Sequence, residues 1–205
     1  MDGGSRGILV SIEGIDAVGK RTQTSILGSW LRSKGYTART VSFPDYGTTL
    51  GVEIKNFLLG NRNYPPEVRH ILFAANRWEK KAELESILSE SDVVIVNRYS
   101  ESNLAYGVAN GLRLEWLVNL EAGLPRPDAV IVLDAPPAAL RSRRGRSKDE
   151  YERNLDLQER TRGAYLKLAK GFGWKVIDAT GGIESTSRVL INAVSDTLKA
   201  AGRTV

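Results

Sequence analysis

The chain of 205 residues contains no cysteine, which excludes disulfide bonds, thiolate metal sites and a cysteine nucleophile. Long apolar runs are also missing, since none approaches the roughly 18 residues that a membrane-spanning helix requires. The first residues, MDGGSRGILVSIEG, contain no uninterrupted apolar segment of signal-peptide length. We therefore expect a soluble cytoplasmic protein that does not act at a membrane.

The composition is that of a folded globular protein. Apolar residues make up 41% of the chain and charged residues 26%. Disordered and fibrous classes carry fewer apolar residues or a repeated pattern, and this chain has neither feature. No internal repeat or linker interrupts it, so we expect a single domain over residues 1–205 with a core of ordinary size.

Positive charge is concentrated in one segment. The net charge is +5, and residues 141–153 (RSRRGRSKDEYER) contain six basic side chains against three acidic ones. Most charge runs of this kind are solvated helix ends, and the alternative is a basic lid that closes over an anionic substrate.

Short β-branched runs alternate with longer segments of helical spacing. The predicted strands are 8–13, 37–43, 92–98, 128–134 and 174–178. The predicted helices lie near 20–34, 48–59, 65–90, 100–122, 136–144, 150–172 and 183–201. This alternation predicts an α/β fold with a five-stranded parallel sheet and helices on both faces. Ligands of such sheets bind at the carboxyl ends of the strands.

The segment after the first predicted strand has the spacing of a phosphate-binding loop. Residues 14–20 read GIDAVGK, which is the G-x-x-x-x-G-K pattern between a strand and a helix. The glycines let backbone N–H groups surround an anion, and Lys20 reaches the β- and γ-phosphates. Arg21 stands where a hydroxyl residue usually contacts Mg²⁺, and Thr22 points about 100° away from it.

The 65–90 segment predicts a helix with two different faces. Six apolar residues share one stripe, which we expect to be the core face: Val68, Ile71, Leu72, Ala75, Trp78 and Ala82. Phe73 and Arg77 are neighbours outside that stripe. A flat base could stack on Phe73 and bind Arg77 at its edge; alternatively, Arg77 forms a surface ion pair.

Several segments together resemble the thymidylate kinases. EGIDAVGKRTQ (13–23) is similar to the family's phosphate loop, and the others follow in the family's order, from about residue 8 to 183: FPDYG (43–47), LFAANRWE (72–79), NRY (97–99), SN (102–103) with Tyr106, GLPRPD (123–128) and DAT (178–180). The resemblance implies a P-loop nucleoside monophosphate kinase with a short basic lid at about 141–153. It also implies a Mg²⁺-dependent transfer of the γ-phosphoryl group of ATP to dTMP, giving dTDP and ADP for dTTP synthesis, by a homodimer.

The resemblance also implies roles for single residues. Arg98 would grip the phosphate of dTMP, Asp16 would contact its deoxyribose, and Tyr106 would crowd the 2′ position. The implied dTMP-binding set is Asp16, Tyr46, Phe73, Arg77, Arg98, Asn103 and Tyr106. The implied ATP-binding set is Gly14, Ile15, Asp16, Ala17, Val18, Gly19, Lys20, Arg21, Thr22, Arg141, Ala179 and Thr180. The implied catalytic set is Lys20, Arg98, Arg143, Arg146 and Arg153, with Arg141 expected on the adenine.

Two residues depart from the family pattern near the expected metal. Arg21 replaces the loop hydroxyl, and Asn97 replaces the aspartate of the family's D-R-Y segment. We therefore expect the phosphates and water to hold most of the Mg²⁺, with Asp16 and Glu13 as the nearby carboxylates.

Three other classes of protein remain open at this point. Another small-molecule P-loop kinase would share the loop and the lid but not the 72–79 segment. A nucleic-acid-dependent NTPase would suit the basic charge, yet no aromatic-interleaved basic stripe offers a track for a strand, and we expect no nucleic-acid partner. A non-catalytic binding module is the third class. His70, the single histidine, is assigned no role.

Overall fold

A computed structural model describes residues 6–143, 151 and 154–203, with only the backbone described at 141–143. Five parallel strands form one sheet in the order β2-β3-β1-β4-β5. Their bounds are β1 Ile8–Glu13, β2 Ala38–Ser42, β3 Val93–Asn97, β4 Ala129–Asp134 and β5 Lys175–Asp178. The predicted five-stranded parallel sheet is confirmed, with each strand within one residue of its expected bounds.

The described residues form eight α-helices, namely α1 Lys20–Ser33, α2 Thr49–Leu58, α3 Pro66–Glu79, α4 Lys81–Glu90, α5 Ser100–Ala109, α6 Leu114–Glu121, α7 Leu155–Phe172 and α8 Ile183–Ala200. The prediction of single helices over 65–90 and 100–122 is wrong. Lys80 leaves the helical region with φ −99° and ψ 6°, and Gly111 has a φ of +85°. The segment predicted as a helix over 136–144 is a 3-10 helix, Pro137–Arg143.

Alternate residues of the central strands enter two apolar clusters. Val10 and Ile12 of β1 pack with Leu27 and Leu31 of α1, and the C-terminal helix α8 joins this cluster. Leu9 belongs to the other cluster together with Leu84 and Leu88 of α4. The period of two along a strand sends successive side chains to opposite faces, so both faces of the sheet are covered by helices.

The predicted core face of α3 is wrong. Ile71 and Trp78 are 44% and 40% exposed, whereas His70 and Arg77 are almost fully buried. The helix turns its polar side towards α5 and α6, where these polar groups find partners. Because polar groups that have hydrogen-bond partners can be buried at little cost, the polar side of α3 faces the protein interior. The apolar stripe on the opposite side of the helix therefore remains at the surface.

The carboxyl ends of β1 and β3 lie side by side in the sheet. The register pairs Ile12 with Asn97, and the loop after Glu13 therefore adjoins the turn that starts at Arg98. Within the described ranges, no helix is both long and apolar enough to cross a membrane.

Candidate active site

The loop after β1 forms an anion cradle. Gly19 has a φ of +104° and directly precedes α1, while Gly14 has a φ of +131° and lies so close to β4 that an added Cβ would be 2.3 Å from the carbonyl oxygen of Leu133. The Lys20 ammonium is buried and donates to the carbonyl oxygens of Gly14 and Ile15, at 2.9 and 2.7 Å. Backbone N–H groups, a helix N-terminus and a lysine thus converge, as phosphate binding requires.

Asp16 lies at the centre of the site. Its carboxylate pairs with Arg98 and accepts hydrogen bonds from the hydroxyl of Tyr106 at 2.8 Å and from Nε2 of Gln158 at 2.9 Å. Burial alone would raise the pKa of Asp16, but Arg98, Lys20 and the hydrogen bonds from Tyr106 and Gln158 together outweigh burial and lower the pKa to about 2. The carboxylate is therefore ionised throughout the neutral range.

Arg98 occupies a strained backbone position just after β3. Its φ is +63°, as is that of Ala17 in the loop, and both are rare values for residues with a side chain. Nη1 of Arg98 donates to Oγ of Ser102, and its guanidinium lies 5.3 Å from the Tyr106 ring centroid. Strain of this kind concentrates at functional sites, where the surrounding contacts hold it in place.

Glu13 is fully buried and its carboxylate is surrounded by donors. Oε1 accepts from Ser11 Oγ and from the backbone N–H of Tyr99, and Oε2 accepts from the hydroxyls of Ser102 and Tyr165. The residue does not line the cavity described next. Glu13 therefore holds the loop after β3 in position.

A single cavity of about 840 Å³ extends from the phosphate loop to α3 and α5. Fourteen of the predicted site residues line it: Asp16, Ala17, Val18, Gly19, Lys20, Arg21, Thr22, Tyr46, Phe73, Arg77, Arg98, Asn103, Tyr106 and Ala179. Gly14 and Ile15 of the loop do not line the cavity, and neither does Thr180, which directly follows Ala179. Arg146 and Arg153, and the side chains of Arg141 and Arg143, lie outside the described residues, and their roles stay predictions.

Arg77 forms a buried ion pair, not the surface pair that was one of the two alternatives. Its Nε donates to Oε2 of Glu121 at 2.8 Å, its Nη2 pairs with Oε1, and the two side chains are 4% and 7% exposed. Asn103 joins the pair by donating from Nδ2 to Oε1 of Glu121 at 2.6 Å. Glu121 could not be predicted from the sequence, because a single glutamate 44 residues from its partner carries no local signal.

Two other residues of the site were also missed. Tyr151, within the predicted lid, lines the cavity and stacks on Tyr106 with ring centroids 5.6 Å apart and an interplanar angle of 9°. Gln158 of α7 is fully buried; it accepts from the backbone N–H of Asp16 and donates to its carboxylate and to the carbonyl oxygen of Tyr151. A glutamine on a predicted amphipathic helix gives no sign of such a contact.

The oxygen atoms near the loop fit a magnesium ion that has few protein ligands. Asn97 lines the cavity, and its Oδ1 is buried with no hydrogen-bond partner among the described residues. Asp16 adds one ionised carboxylate, while the oxygens of Glu13 are already occupied. No group of three or more potential metal-binding side chains occurs in the described part of the chain. Mg²⁺ often has few protein ligands and takes the others from phosphates and water, so this sparse set fits it.

A phosphate loop that faces a second, aromatic and polar wall across one cavity defines a P-loop kinase of small nucleotides. Comparison with known proteins agrees, since the thymidylate kinase family model matches residues 12–189. The chain therefore belongs to the thymidylate kinase family, and it is a dTMP kinase that uses ATP.

Relatives from distant organisms match most of the chain. A thymidylate kinase of Arabidopsis thaliana is 36% identical over 95% of this chain and 73% of its own length. The human thymidylate kinase is 31% identical over 96% and 93%, and a probable thymidylate kinase of Thermococcus gammatolerans is 38% identical over 92% and 96%. The solved structure of thymidylate kinase from Candida albicans superposes with a TM-score of 0.82 at 27% identity, covering 95% of this chain and 93% of that one.

Proposed function

We propose that the two ends of the cavity hold the two substrates of the dTMP kinase reaction. The phosphates of ATP would lie on residues 14–22 and its adenine beside Ala179 and Thr180. The base of dTMP would lie against Phe73 and Arg77, and its phosphate on Arg98. The observation that carries this proposal is the pairing of Arg98 with Asp16, because it places an acceptor-side cation directly beside the donor loop.

Charge neutralisation is the main contribution of the protein to this reaction. The attacking oxygen of dTMP already belongs to an ionised phosphate, so the step needs no general base. Lys20 can exchange the carbonyl oxygens of Gly14 and Ile15 for phosphate oxygens, and Arg98 can bind the acceptor phosphate through its guanidinium. Tyr46, Asn103 and Tyr106 line the acceptor end and would orient the nucleotide there.

We further propose Mg²⁺ as the cofactor, held by Asp16 and Asn97 in part through water. When bound, Mg²⁺ neutralises charge on the phosphate oxygens of ATP. Glu13, which was also expected near the metal, would act only by fixing the surrounding loops, because its oxygens are already hydrogen-bonded.

The basic segment 141–153 completes the proposal as a lid. Tyr151, at its C-terminal end, already lines the cavity, which supports a position of the segment over the substrates. Arg141 would stack on adenine, while Arg143, Arg146 and Arg153 would approach the transferred phosphoryl group. A single domain and a cytoplasmic location, as expected from the sequence, remain parts of the proposal.

The proposal is tested by initial rates of ADP release from ATP and Mg²⁺ with separate acceptors: dTMP, dUMP, dGMP, dCMP, UMP and none. We expect turnover with dTMP well above the others, and loss of turnover when EDTA removes Mg²⁺. Arg98→Ala should abolish turnover, whereas Arg39→Ala on the exposed side of β2 should not alter it. Equal rates with and without acceptor would overturn the assignment of the two ends of the cavity.

A further inference from the structure

His70 lies at the centre of a buried hydrogen-bond network behind the acceptor end of the cavity. The residue is fully buried and also lines the cavity wall. Its Nδ1 lies 2.7 Å from Oδ1 of Asn103, and its Nε2 lies 3.2 Å from Nδ2 of Asn110. No step of the proposed reaction uses this ring.

The two contacts of the ring fit only one protonation state. Oδ1 of Asn103 can only accept, so Nδ1 of His70 must carry a hydrogen. Nδ2 of Asn110 can only donate, so Nε2 must be unprotonated. Burial lowers the pKa of His70 to about 4, which keeps the ring neutral. The histidine is therefore the Nδ1–H tautomer and acts as a donor towards Asn103.

The Asn103 carboxamide is consequently held in one orientation. Its Nδ2 donates to the backbone carbonyl of His70 at 3.2 Å and to Oε1 of Glu121 at 2.6 Å. A rotation by 180° would place the amide oxygen against that carbonyl and the Glu121 carboxylate, and the NH₂ group against the Nδ1–H. Each of the three contacts would then become repulsive, in a site where unpaired polar groups are costly.

This orientation decides what Asn103 can offer to a ligand. Both hydrogens of Nδ2 are already donated, while Oδ1 has a second lone pair. Arg77 complements it, because its Nε and Nη2 are bound to Glu121 and its Nη1 has no hydrogen-bond partner among the described residues. These two residues, which both bind Glu121 and line the cavity, thus offer one acceptor and one donor on the same wall.

We propose that His70 is a positioning residue for base selectivity: it fixes Asn103 as a hydrogen-bond acceptor, so that the site favours a pyrimidine with an N3–H over cytosine. Thymine offers N3–H beside a carbonyl at C4, which matches an acceptor beside a donor. Cytosine has an unprotonated N3 beside an amino group. It would therefore place an acceptor against the Asn103 oxygen and a donor against the Arg77 guanidinium. The inference rests on the proposed contact of Asn103 and Arg77 with the acceptor base.

Two variants of similar shape separate the hydrogen bond from the packing. His70→Asn retains a donor close to the place of Nδ1, whereas His70→Leu has the same branched shape without any donor. We expect the ratio of kcat/KM for dTMP to that for dCMP to fall at least tenfold in His70→Leu and to stay within about threefold of the wild type in His70→Asn. Equal ratios in both variants and the wild type would overturn the inference.

Asn103→Leu identifies which premise fails. If this variant keeps the wild-type ratio, Asn103 does not contact the base, and the proposed acceptor site is wrong at that point. If Asn103→Leu lowers the ratio and His70→Leu does not, only the role of His70 is wrong.

A measurement on the unaltered protein covers the case in which His70→Leu does not fold. The chain has one histidine, so the ring nitrogens give unambiguous signals in a long-range ¹H–¹⁵N spectrum. We expect a protonated Nδ1 and an unprotonated Nε2 at neutral pH. An unprotonated Nδ1 with the proton on Nε2 would require Asn103 to be turned the other way or released, and would overturn the inference.

Discussion

Among single residues, Arg98 is constrained in two ways, since its backbone is strained and both terminal nitrogens of its guanidinium are hydrogen-bonded. It contacts Asp16, Ser102 and Tyr106. A planar guanidinium can bridge several acceptors while still facing a phosphate, whereas an ammonium is a point charge.

Arg98→Lys should therefore lower kcat/KM for dTMP by about 100-fold, although the charge is retained. Steady-state kinetics with saturating ATP measures the effect. Arg39→Lys, on the exposed side of β2, is the matched control and should change nothing. Retention of more than a third of the activity in Arg98→Lys would show that only the charge matters.

Glu101 is the second informative residue, because it is a buried carboxyl group that lacks a full set of partners. Oε1 accepts from Ser100 Oγ at 2.9 Å, and Oε2 has no hydrogen-bond partner among the described residues. Burial and the nearby Glu13 raise the pKa of Glu101 to about 7. The folded state therefore binds the Glu101 proton more tightly than the unfolded state, in which the pKa is about 4.5.

The contribution of Glu101 to stability is accordingly complete below pH 4.5 and is lost as the pH rises through 7. Glu101→Gln should raise the free energy of unfolding at pH 8 by up to about 3 kcal/mol and have little effect at pH 4.5. Urea unfolding at both pH values measures this difference. Glu115→Gln on the exposed side of α6 serves as control, and an equal gain at both pH values for Glu101→Gln would contradict the explanation.

At the scale of elements, the strands were predictable and some helices were not. Strands such as 93–97 are continuous β-branched runs whose ends are marked by polar residues, so the chain itself limits them. The 65–90 segment has helical spacing throughout, and only the geometry at Lys80 divides it. The apolar stripe through Ile71 and Trp78 misled the prediction of burial, because the polar partners of the opposite side come from other helices.

The same reason explains which parts of the site could be predicted. The loop residues around Lys20 are neighbours in sequence and carry a pattern that can be recognised. Glu121 and Gln158 act on residues 44 and 142 positions away, and only the fold brings them together.

Helix α7 is connected to the phosphate loop through one side chain. Gln158 binds both the backbone and the carboxylate of Asp16 and also holds the carbonyl oxygen of Tyr151. This helix therefore links the end of the segment proposed as the lid to the centre of the site.

Gln158→Glu should lower kcat at least tenfold, because it keeps the shape but replaces the donor by a charge that repels Asp16. Glu159→Gln, its exposed neighbour on the same helix, should leave kcat unchanged. Rates at saturating ATP and dTMP distinguish the two variants, and normal turnover of Gln158→Glu would show that the link is dispensable.

At the scale of the whole molecule, several exposed apolar side chains of the described residues lie on three neighbouring helices. Val52 of α2, Ile71 and Trp78 of α3 and Val118 of α6 are each between 39% and 49% exposed. Helix α3 contacts both α2 and α6, so these side chains lie on neighbouring elements. We propose that a second copy of the chain covers this surface, in agreement with the homodimer that the family resemblance implies.

Ile71→Glu should then shift the protein from twice its chain mass of 22.5 kDa to the single mass. Light scattering coupled to size-exclusion chromatography measures the mass. Val189→Glu places the same charge on α8 at similar exposure, 46%, and should leave the dimer intact. A wild-type protein that is monomeric at micromolar concentration would contradict the proposal.

The position of Asp16 has a consequence for the redesign of this enzyme. The carboxylate is shared, since it belongs to the loop proposed to bind ATP while Arg98 and Tyr106, which are proposed to bind dTMP, hold it from the other side. A substitution of Asp16 that is intended to admit a different sugar would therefore also disturb the proposed binding of ATP. The proposed base contacts, Asn103 and Arg77, are held instead by His70 and Glu121, and within the described part of the chain the side-chain hydrogen bonds of these two residues do not reach the loop after β1. Altered base preference is thus the change that directed evolution should reach with the smallest loss of turnover.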